Sequence, residues 1–380
     1  MRILHLIASA DPAMGGPSHA MRSLALRMRE RGHEVTFATL DRPGARWIAE
    51  SPVPVVALGP GRGRYGHTPE LDRFLAAHAG EFDRFVVNGI WQYHSAAAAR
   101  LLKGRGYVLF PHGMLDPWFR EAYPKKHLKK TLYWLARERA VVNGARRVLF
   151  TAEEERLLAQ GCFPGYAAKE HVLGYGADAP ESDPVSDFLA FGDTVPELAG
   201  RPYLLFLGRL HEKKGCDLLL RAFARVYGDE RDFRLVMAGP DHTSHRPTLE
   251  RLASELGVSG QVLWPGMLSG NAKQGALRGA EAFVLPSHQE NFGVAVAEAL
   301  AVGTPVLVSN RVNIWREIEE DGAGLVAPDD EEGTADLLAH WQAMRPADQE
   351  VMRKRALACF HRRFRMSGVA ERFERVLLES

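Results

Sequence analysis

The sequence predicts an α/β protein built from two doubly wound parallel sheets, and three features of the chain support this prediction. Short buried strands alternate with amphipathic helices along both halves of the chain. A chain of 380 residues is too long for one comfortable core, so two domains of ordinary size are expected. Residues 178–201 are rich in Pro, Asp, Glu and Ser with little periodicity, which is typical of a domain boundary.

The overall composition excludes several classes of protein. Hydrophobic content of 46% is ordinary for a globular protein, and a formal net charge of +1 gives no general attraction to nucleic acid. Cys162, Cys216 and Cys359 have no metal-ligand spacing, so a reducing cytoplasm is the expected compartment and no metal site is predicted. No apolar run approaches the roughly 20 residues that a membrane helix needs.

The amino-terminal half begins with a predicted strand over residues 2–8 and a second over residues 34–40. Between them, Gly15 and Gly16 would let the backbone approach a ligand closely before a helix begins. Asp41 after the second strand raises the possibility of a dinucleotide site. The missing G-x-G-x-x-G motif and the length of the loop count against it. Further strands are predicted at residues 53–58, 84–88, 107–110 and 147–150.

His112 follows the strand over residues 107–110 and stands beside Gly113. A histidine at the carboxyl end of a parallel strand is placed to contact a ligand, because ligands bind at that edge of the sheet. A structural histidine satisfied by the backbone is the alternative interpretation, and the residues alone leave both open.

A basic stretch runs over residues 120–147, from Arg120 to Arg147. It carries nine Lys or Arg residues against two acids, and aromatic residues are interleaved with the charges. Such a helix suits an anionic membrane surface or an anionic acceptor. It is equally compatible with a solvated helix whose aromatic stripe packs inward. Nucleic acid is a poor fit, because no recognised binding module accompanies the stretch.

The carboxyl-terminal half starts a new series of strands and helices at residues 203–207. That strand leads into Arg209, and Lys214 stands just before a predicted helix over residues 216–227. Two cations at a strand end and a helix start suit a diphosphate, whereas a solvated loop is the alternative for either one alone. Further elements are strands at residues 233–238, 262–264, 282–285, 305–308 and 324–327, and helices near 332–345 and 348–363.

Two carboxylates follow the strand over residues 282–285. Glu290 lies in the loop, and Glu298 lies about two turns into a helix predicted to start at Phe292 and end near Val302. Carboxylates accept hydrogen bonds from vicinal hydroxyls, and the amides of Asn291, Phe292 and Gly293 at the helix start suit a phosphate. The alternative is that Glu298 is a surface residue and Glu290 a favourable acid before the helix.

Four motifs together resemble the retaining group 1 glycosyltransferases, family four of the sequence classification. They are the Gly15-Gly16 loop, His112-Gly113, GRL-x3-KG at Arg209 and Lys214, and Glu-x7-Glu at Glu290 and Glu298. The resemblance implies the GT-B fold, with two facing Rossmann-like domains and the active site in the cleft between them. It assigns residues 1–180 to an acceptor domain, 200–360 to a nucleotide-sugar donor domain, and 361–380 to a helix that crosses back.

The resemblance also implies roles for particular residues. Arg209 and Lys214 would hold the donor diphosphate, with Gly15 and Gly16 facing it. Glu290, His112 and the amides of residues 291–293 would contact the transferred sugar. Glu298 would hold the ribose, and the backbone of Met267 and Leu268 the nucleobase. No metal and no further cofactor are implied.

The implied activity is retaining transfer of a hexosyl unit from a UDP- or GDP-sugar to a glycan or lipid-linked acceptor. The implied setting is surface polysaccharide or glycolipid assembly, with the enzyme in the cytoplasm or peripheral at the inner face of the membrane. Two alternatives belong to other classes. A nucleotide-sugar epimerase shares this two-domain fold and needs no acceptor, and a catalytically silent protein would bind the donor without turning it over.

Overall fold

The chain folds into two compact units in a computed structural model that describes residues 1–11, 16–118, 120, 124–242 and 244–380. The first unit comprises Met1–Tyr175 and Met366–Ser380, and the second comprises Gly176–Arg365. Gly15 lies outside the described residues. Within the described part of the chain, no helix is both long and apolar enough to cross a bilayer.

The first unit contains a seven-stranded sheet in the order β3-β2-β1-β4-β5-β6-β7, with all neighbours parallel. The order reverses between β1 and β4, the position at which ligands bind in such sheets. The strands are β1 (Arg2–Ile7), β2 (Glu34–Thr39), β3 (Val55–Ala57), β4 (Arg84–Asn88), β5 (Val108–Phe110), β6 (Arg147–Phe150) and β7 (Glu170–Val172).

Among the residues that the structure describes, the first part of the chain contributes α-helices to this unit. They are α1 (Gly16–Glu30), α2 (Arg46–Ala49), α3 (Pro69–His78), α4 (Tyr93–Leu101), α5 (Pro124–Tyr133), α6 (Arg139–Gly144) and α7 (Glu153–Gln160), and a π-helical turn over Trp134–Glu138 joins α5 to α6. In α1 the buried residues Met21, Leu24, Ala25 and Met28 recur at helical spacing, which turns one apolar face to the core.

The second unit contains a six-stranded parallel sheet in the order β10-β9-β8-β11-β12-β13, which reverses between β8 and β11. Its strands are β8 (Tyr203–Leu207), β9 (Arg234–Ala238), β10 (Val262–Gly266), β11 (Ala282–Leu285), β12 (Val306–Ser309) and β13 (Gly324–Ala327). Its helices are α8 (Pro184–Thr194), α9 (Cys216–Tyr227), α10 (Arg246–Glu255), α11 (Gly270–Gly279), α12 (Val294–Ala301), α13 (Trp315–Asp321), α14 (Glu331–Ala343) and α15 (Pro346–Cys359).

The last helix, α16 (Met366–Glu379), packs within the first unit. Its Phe373 ring lies 6.1 Å from the His5 ring of β1, and the Arg372 Nε donates to the carbonyl oxygen of Leu173 at 2.9 Å. His33 Nε2 lies 2.7 Å from Glu374 Oε1. The carboxyl terminus is therefore anchored to the first sheet by apolar packing and by charged contacts.

Residues 178–201, predicted as the domain boundary from their composition, contain a helix that the sequence did not reveal. Within this segment α8 begins after Asp183, whose side chain accepts a hydrogen bond from the Ser186 amide at 2.9 Å. Asp187 is buried and accepts a hydrogen bond from the Arg278 Nε of α11 at 2.9 Å. The same polar residues that resemble a linker by composition therefore cap the helix and tie it to the second unit.

Candidate active site

The second sheet brings Lys214 and Glu290 together at its carboxyl edge, beside the reversal between β8 and β11. Lys214 lies in a 3₁₀ turn after β8. This turn ends at Gly215, whose φ is 63°. A Cβ atom at Gly215 would stand 2.1 Å from the carbonyl oxygen of Pro286, so only glycine permits this close approach. The glycine of the K-G motif therefore places the lysine next to the loop after β11.

The Lys214 ammonium forms an ion pair with Glu290 Oε2, although the two residues are 76 positions apart. Their side chains are only 16% and 20% exposed. The Glu290 backbone is also fixed, because its amide donates to the Arg311 carbonyl at 3.0 Å and its carbonyl accepts from the Asn313 amide at 3.0 Å. The carboxylate is thus held at a defined position at the edge of the sheet.

Burial and the neighbouring Arg209 charge lower the pKa of Lys214 to about 8. The Glu290 carboxylate in direct contact favours the charged ammonium and opposes that shift. An anion with more than one charge that binds beside Lys214 stabilises the charged ammonium form further. The site is therefore suited to a diphosphate.

After the Glu290 loop, α12 begins two residues later than the sequence predicted. The helix begins at Val294 rather than Phe292 because Gly293 adopts a left-handed conformation with φ 75°. Phe292 is buried, and its ring packs edge-on against Phe364 at 5.7 Å. The Phe292 side chain therefore anchors the loop, and only its backbone is available for the predicted contact.

Glu298 of α12 is paired with a residue that the sequence did not reveal. The Lys273 Nζ of α11 lies 2.8 Å from Glu298 Oε1, and both side chains are mostly buried. This ion pair fixes the direction of the Glu298 carboxylate. No local sequence pattern links the two residues, since they lie on different helices.

A cavity of about 250 Å³ opens at the carboxyl ends of β8, β9 and β10. Arg246 lies 5.8 Å from the centre of the Trp264 ring, and Asp241 accepts hydrogen bonds from the His245 and Arg246 amides at 2.8 and 3.1 Å. The lining residues are Leu210, Met237, Gly239, Pro240, Asp241, Arg246, Trp264, Gly266 and Met267.

The two residues predicted to contact a nucleobase differ in exposure. Met267 is 73% exposed and lines the cavity, whereas the Leu268 side chain is buried in the core. The predicted contact was through backbone atoms, which the burial of Leu268 does not affect. The cavity side chains Asp241, Arg246 and Trp264 were missed, because only the packing of β10 beside the segment after β9 brings them together.

In the first unit, His112 stands at the end of β5 with φ 50° and stacks on the Phe110 ring at 5.5 Å. Its Nε2 lies 3.4 Å from the side-chain oxygen of Asn88, which ends β4. Burial lowers the pKa of His112 to about 4, so the imidazole is neutral at pH 7 and can offer hydrogen bonds but no charge.

The loop that carries His112 is held by a buried carboxylate that the sequence did not indicate as part of a site. Glu155 Oε1 accepts the Gly113 amide at 2.6 Å, and Glu155 Oε2 accepts the Thr151 amide and hydroxyl at 2.7 and 2.6 Å. These bonds order the left-handed turn at His112 and Gly113.

The Asp41 carboxylate, after β2, is occupied by hydrogen bonds from the loop after β1. Its two oxygens accept the Ser9 hydroxyl at 2.6 Å and the Ala10 amide at 2.8 Å. This use of the carboxylate adds to the argument against a dinucleotide site. Gly16, which the sequence predicted to lie in the loop before the helix, is the first residue of α1. No cluster of three or more metal-ligating His, Cys, Asp or Glu side chains occurs among the described residues.

Two family models cover most of the chain. Residues 15–176 match the glycosyl transferase 4-like domain, and residues 194–357 match the glycosyl transferases group 1. The D-inositol 3-phosphate glycosyltransferase of Mycolicibacterium smegmatis is 31% identical over 346 residues, which are 80% of this chain and 74% of that protein. The chain belongs to the group 1 glycosyltransferases. The predicted family and the predicted class of enzyme, a retaining glycosyltransferase, are confirmed.

Further comparisons agree with this assignment. The GDP-mannose:cellobiosyl-diphosphopolyprenol alpha-mannosyltransferase of Xanthomonas oryzae pv. oryzae is 26% identical over 356 residues, which are 89% of this chain and 86% of that protein. Anabaena Alr3699/HepE in complex with UDP and glucose aligns with a TM-score of 0.79 at 17% identity, with all of both chains covered. WaaG, a glycosyltransferase involved in lipopolysaccharide biosynthesis, aligns with a TM-score of 0.71 at 18% identity, again over all of both chains. These structural matches and the two parallel sheets confirm the predicted fold class.

Proposed function

We propose that this glycosyltransferase moves a hexosyl unit from a UDP- or GDP-sugar to a glycan or lipid-linked acceptor, with retention of configuration. The observation that carries the proposal is the ion pair between Lys214 and Glu290, beside Arg209, at the strand-order reversal of the second sheet. This arrangement offers cations to a diphosphate and a fixed carboxylate to the hydroxyls of a sugar. The second unit is accordingly proposed as the donor unit and the first as the acceptor unit.

In the proposed mechanism, negative charge collects on the leaving diphosphate as the glycosidic bond breaks. Arg209 and Lys214 stabilise that charge, together with the amides of residues 291–293 at the start of α12. Retention is proposed to follow from attack on the face from which the diphosphate departs, with the leaving phosphate accepting the proton of the acceptor hydroxyl. The chain then needs no general base of its own at that step.

The remaining site residues are proposed to select and orient the substrates. Glu298, fixed by Lys273, accepts hydrogen bonds from the ribose hydroxyls. The cavity beside Met267 and Leu268 takes the nucleobase. His112 is neutral at pH 7 and is proposed to hydrogen-bond a sugar hydroxyl, and Gly15 and Gly16 are proposed to face the diphosphate.

Glu298→Ala is expected to raise the Kd for the nucleoside diphosphate by roughly 10- to 150-fold, because charge-assisted hydrogen bonds to the ribose are lost. Isothermal titration calorimetry against the ribonucleotide and its 2′-deoxy form makes the test specific. The wild type should prefer the ribonucleotide, and the variant should bind both alike. Glu255→Ala is a matched control, since Glu255 forms only an exposed ion pair with Arg251. An unchanged preference in Glu298→Ala would exclude the ribose contact.

Nucleotide binding is expected to take up a proton through Lys214. The pKa of this lysine is about 8 in the free protein, and a bound diphosphate favours the charged form. At pH 8 binding should therefore take up roughly half a proton, and affinity should fall as pH rises further. Calorimetry in two buffers of different ionisation enthalpy measures the uptake. Lys214→Arg is the control, because arginine stays charged over this range and should show neither effect.

The acceptor class is proposed from the relatives. The mannosyltransferase relative is named for a cellobiosyl-diphosphopolyprenol acceptor, and WaaG for lipopolysaccharide biosynthesis. A lipid-linked acceptor in surface polysaccharide or glycolipid assembly is consistent with a cytoplasmic enzyme that contacts the inner face of the membrane. Incubation of the preferred donor with short lipid-diphosphate glycans, followed by mass spectrometry, tests the acceptor. Isomerisation of the donor without an acceptor would instead identify an epimerase.

A further inference from the structure

Asn88, the last residue of β4, lies where three histidine side chains converge. In the sheet register it pairs with Ile7 at the end of β1 and with Phe110 at the end of β5, beside the strand-order reversal of the first sheet. Asn88 is buried, with 3% of its surface exposed. A buried side-chain amide has both a donor and an acceptor to satisfy, so the partners of its two ends define its direction.

The direction of the Asn88 amide is fixed from the β1 side. Its Nδ2 donates to the carbonyl oxygen of Leu6 at 3.4 Å and lies 3.3 Å from the His5 Nδ1. A carbonyl oxygen only accepts hydrogen bonds, so the nitrogen rather than the oxygen of the amide faces Leu6. The His5 Nδ1 then accepts the second amide hydrogen, and the Asn88 Oδ1 is left for another partner.

A further histidine holds the Asn88 backbone. The Nε2 of His94, a buried residue of α4, lies 2.8 Å from the Asn88 carbonyl oxygen. Because that oxygen only accepts, His94 carries its proton on Nε2. Burial lowers the pKa of His94 to about 4 and that of His5 to about 3, so both imidazoles are neutral at pH 7. The histidines around Asn88 therefore act through hydrogen bonds.

The Asn88 amide in turn fixes the position of the proton on His112. Asn88 Oδ1 lies 3.4 Å from the His112 Nε2, and an amide oxygen bonds only to a nitrogen that carries a hydrogen. A neutral imidazole has a single N–H, which this contact assigns to Nε2. The His112 Nδ1 therefore keeps a lone pair and accepts hydrogen bonds. The Phe110 ring lies within 9° of parallel to the imidazole and fixes the plane of that lone pair.

We propose that Asn88 is a positioning residue for glycosyl transfer. It selects the Nε2-protonated form of His112, whose Nδ1 accepts a hydrogen bond from a hydroxyl of the donor sugar. The inference rests on the proposed contact between His112 and that sugar. It adds the residue that acts through His112 and the direction of the hydrogen bond, in which the sugar donates and the protein accepts.

A purely structural role for Asn88 leads to a different expectation. Replacement of Asn88 would then lower activity by the same factor whatever residue stands at position 112. If Asn88 acts through His112, its replacement matters only while an imidazole with two possible tautomers is present. A comparison of the same substitution in two backgrounds therefore separates the two roles.

The first test is the nitrogen NMR spectrum of the full chain with isotope-labelled histidine, in which protonated and unprotonated ring nitrogens have different chemical shifts. The His112 signals are identified by their absence in His112→Asn. At pH 7 the wild type should carry the His112 proton on Nε2 alone, and Asn88→Leu should show a second form protonated at Nδ1. A wild-type His112 protonated at Nδ1, or an unchanged His112 spectrum in Asn88→Leu, would overturn the inference.

The second test is the slow hydrolysis of a donor without acceptor, with UDP-glucose and GDP-mannose as the probes. Asn88→Leu should lose roughly tenfold in kcat/KM, as expected for one oriented hydrogen bond, while the Kd of UDP or GDP alone stays within about twofold. In a His112→Asn background the same substitution should change kcat/KM by less than about twofold. The Asn side chain offers an amide oxygen near the place of Nδ1 and has no tautomer to select. His112→Gln, which mimics Nε2, should be less active than His112→Asn.

Asn143→Leu is the matched control for both tests. The Asn143 amide donates to the Gly165 carbonyl at 2.9 Å and accepts the Ala167 amide at 3.0 Å, so the control removes two comparable bonds. It should leave the His112 spectrum and kcat/KM as in the wild type, and thermal unfolding establishes that each variant is folded. An equal loss from Asn88→Leu in both backgrounds would overturn the positioning role. Hydrolysis of neither donor by the wild type would count against the proposed function, and the NMR spectrum would still decide the tautomer.

Discussion

Arg209→Ala should lower kcat by about 10²–10³-fold while changing the Kd of the nucleotide by less than about tenfold. The reason is that the guanidinium is proposed to face the diphosphate, whose charge grows as the glycosidic bond breaks. An interaction that strengthens in the transition state affects turnover more than ground-state binding. Steady-state kinetics together with calorimetric Kd values separate the two effects.

Lys213→Ala is the matched control for this experiment. Lys213 lies in the same 3₁₀ turn as Lys214 but outside the GRL-x3-KG motif, and its backbone carbonyl accepts the His288 amide at 2.8 Å. That backbone contact survives the substitution, so kcat should stay within a few-fold of the wild type. A pure rise in KM for Arg209→Ala, with kcat unchanged, would remove Arg209 from transition-state stabilisation.

Glu290→Gln should also lower kcat by about 10²–10³-fold, because the substitution removes the charge that pairs with Lys214 and that is proposed to contact the sugar. Since Glu290 and Lys214 act as a unit, the double variant Glu290→Gln, Lys214→Ala should be little worse than either single variant. The two single variants, the double variant and the wild type form a double-mutant cycle in kcat/KM. Glu212 is an exposed acid in the 3₁₀ turn that holds Lys214, and Glu212→Gln serves as the control.

If the losses in kcat/KM of the two single variants multiply in the double variant, the proposal that Glu290 and Lys214 act as a unit is contradicted. Independent losses would mean that the lysine and the carboxylate act on the substrate separately and that their ion pair has no functional role. A Glu290→Gln variant with normal kcat would exclude the carboxylate from the reaction altogether.

The fold was predictable because strands in parallel sheets are buried on both faces and leave continuous apolar runs in the sequence. The predicted bounds of β4, β6, β8 and β13 agree with the structure to the residue, as do those of α9. Strand β7 was missed, since a three-residue edge strand of sequence EHV has no apolar run to reveal it. Helix α8 was missed because its composition resembles a linker.

The predicted site residues depended on motifs at strand ends, where topology brings distant residues together. The sequence placed Lys214 and Glu290 at two such ends, and the structure places them in contact. It gave no sign of Lys273 or of the cavity residues Asp241 and Arg246, because pairing between separate helices and loops depends on their packing. Residue type alone cannot reveal such partners.

The basic stretch shows a further limit of sequence reasoning. The sequence identified its charges and aromatic residues but left open which side faces solvent. The structure shows Trp134 buried and Leu128 and Leu132 exposed, so among the described residues of the stretch the leucines form the exposed apolar surface. Helix phase decides this question, and the π-helical turn at Trp134–Glu138 shifts that phase within the stretch.

The central claim is that the second unit binds the nucleoside diphosphate of a sugar donor. A thermal-unfolding panel with UDP, GDP, ADP and their common sugars tests it most directly. One nucleotide family at about 100 times its Kd should stabilise the wild type by about 2.7 kcal/mol, which shifts Tm by several degrees, and Glu298→Ala should lose most of that shift. No shift in Tm with any nucleotide at millimolar concentration would contradict donor binding by the second unit, while the family assignment would stand.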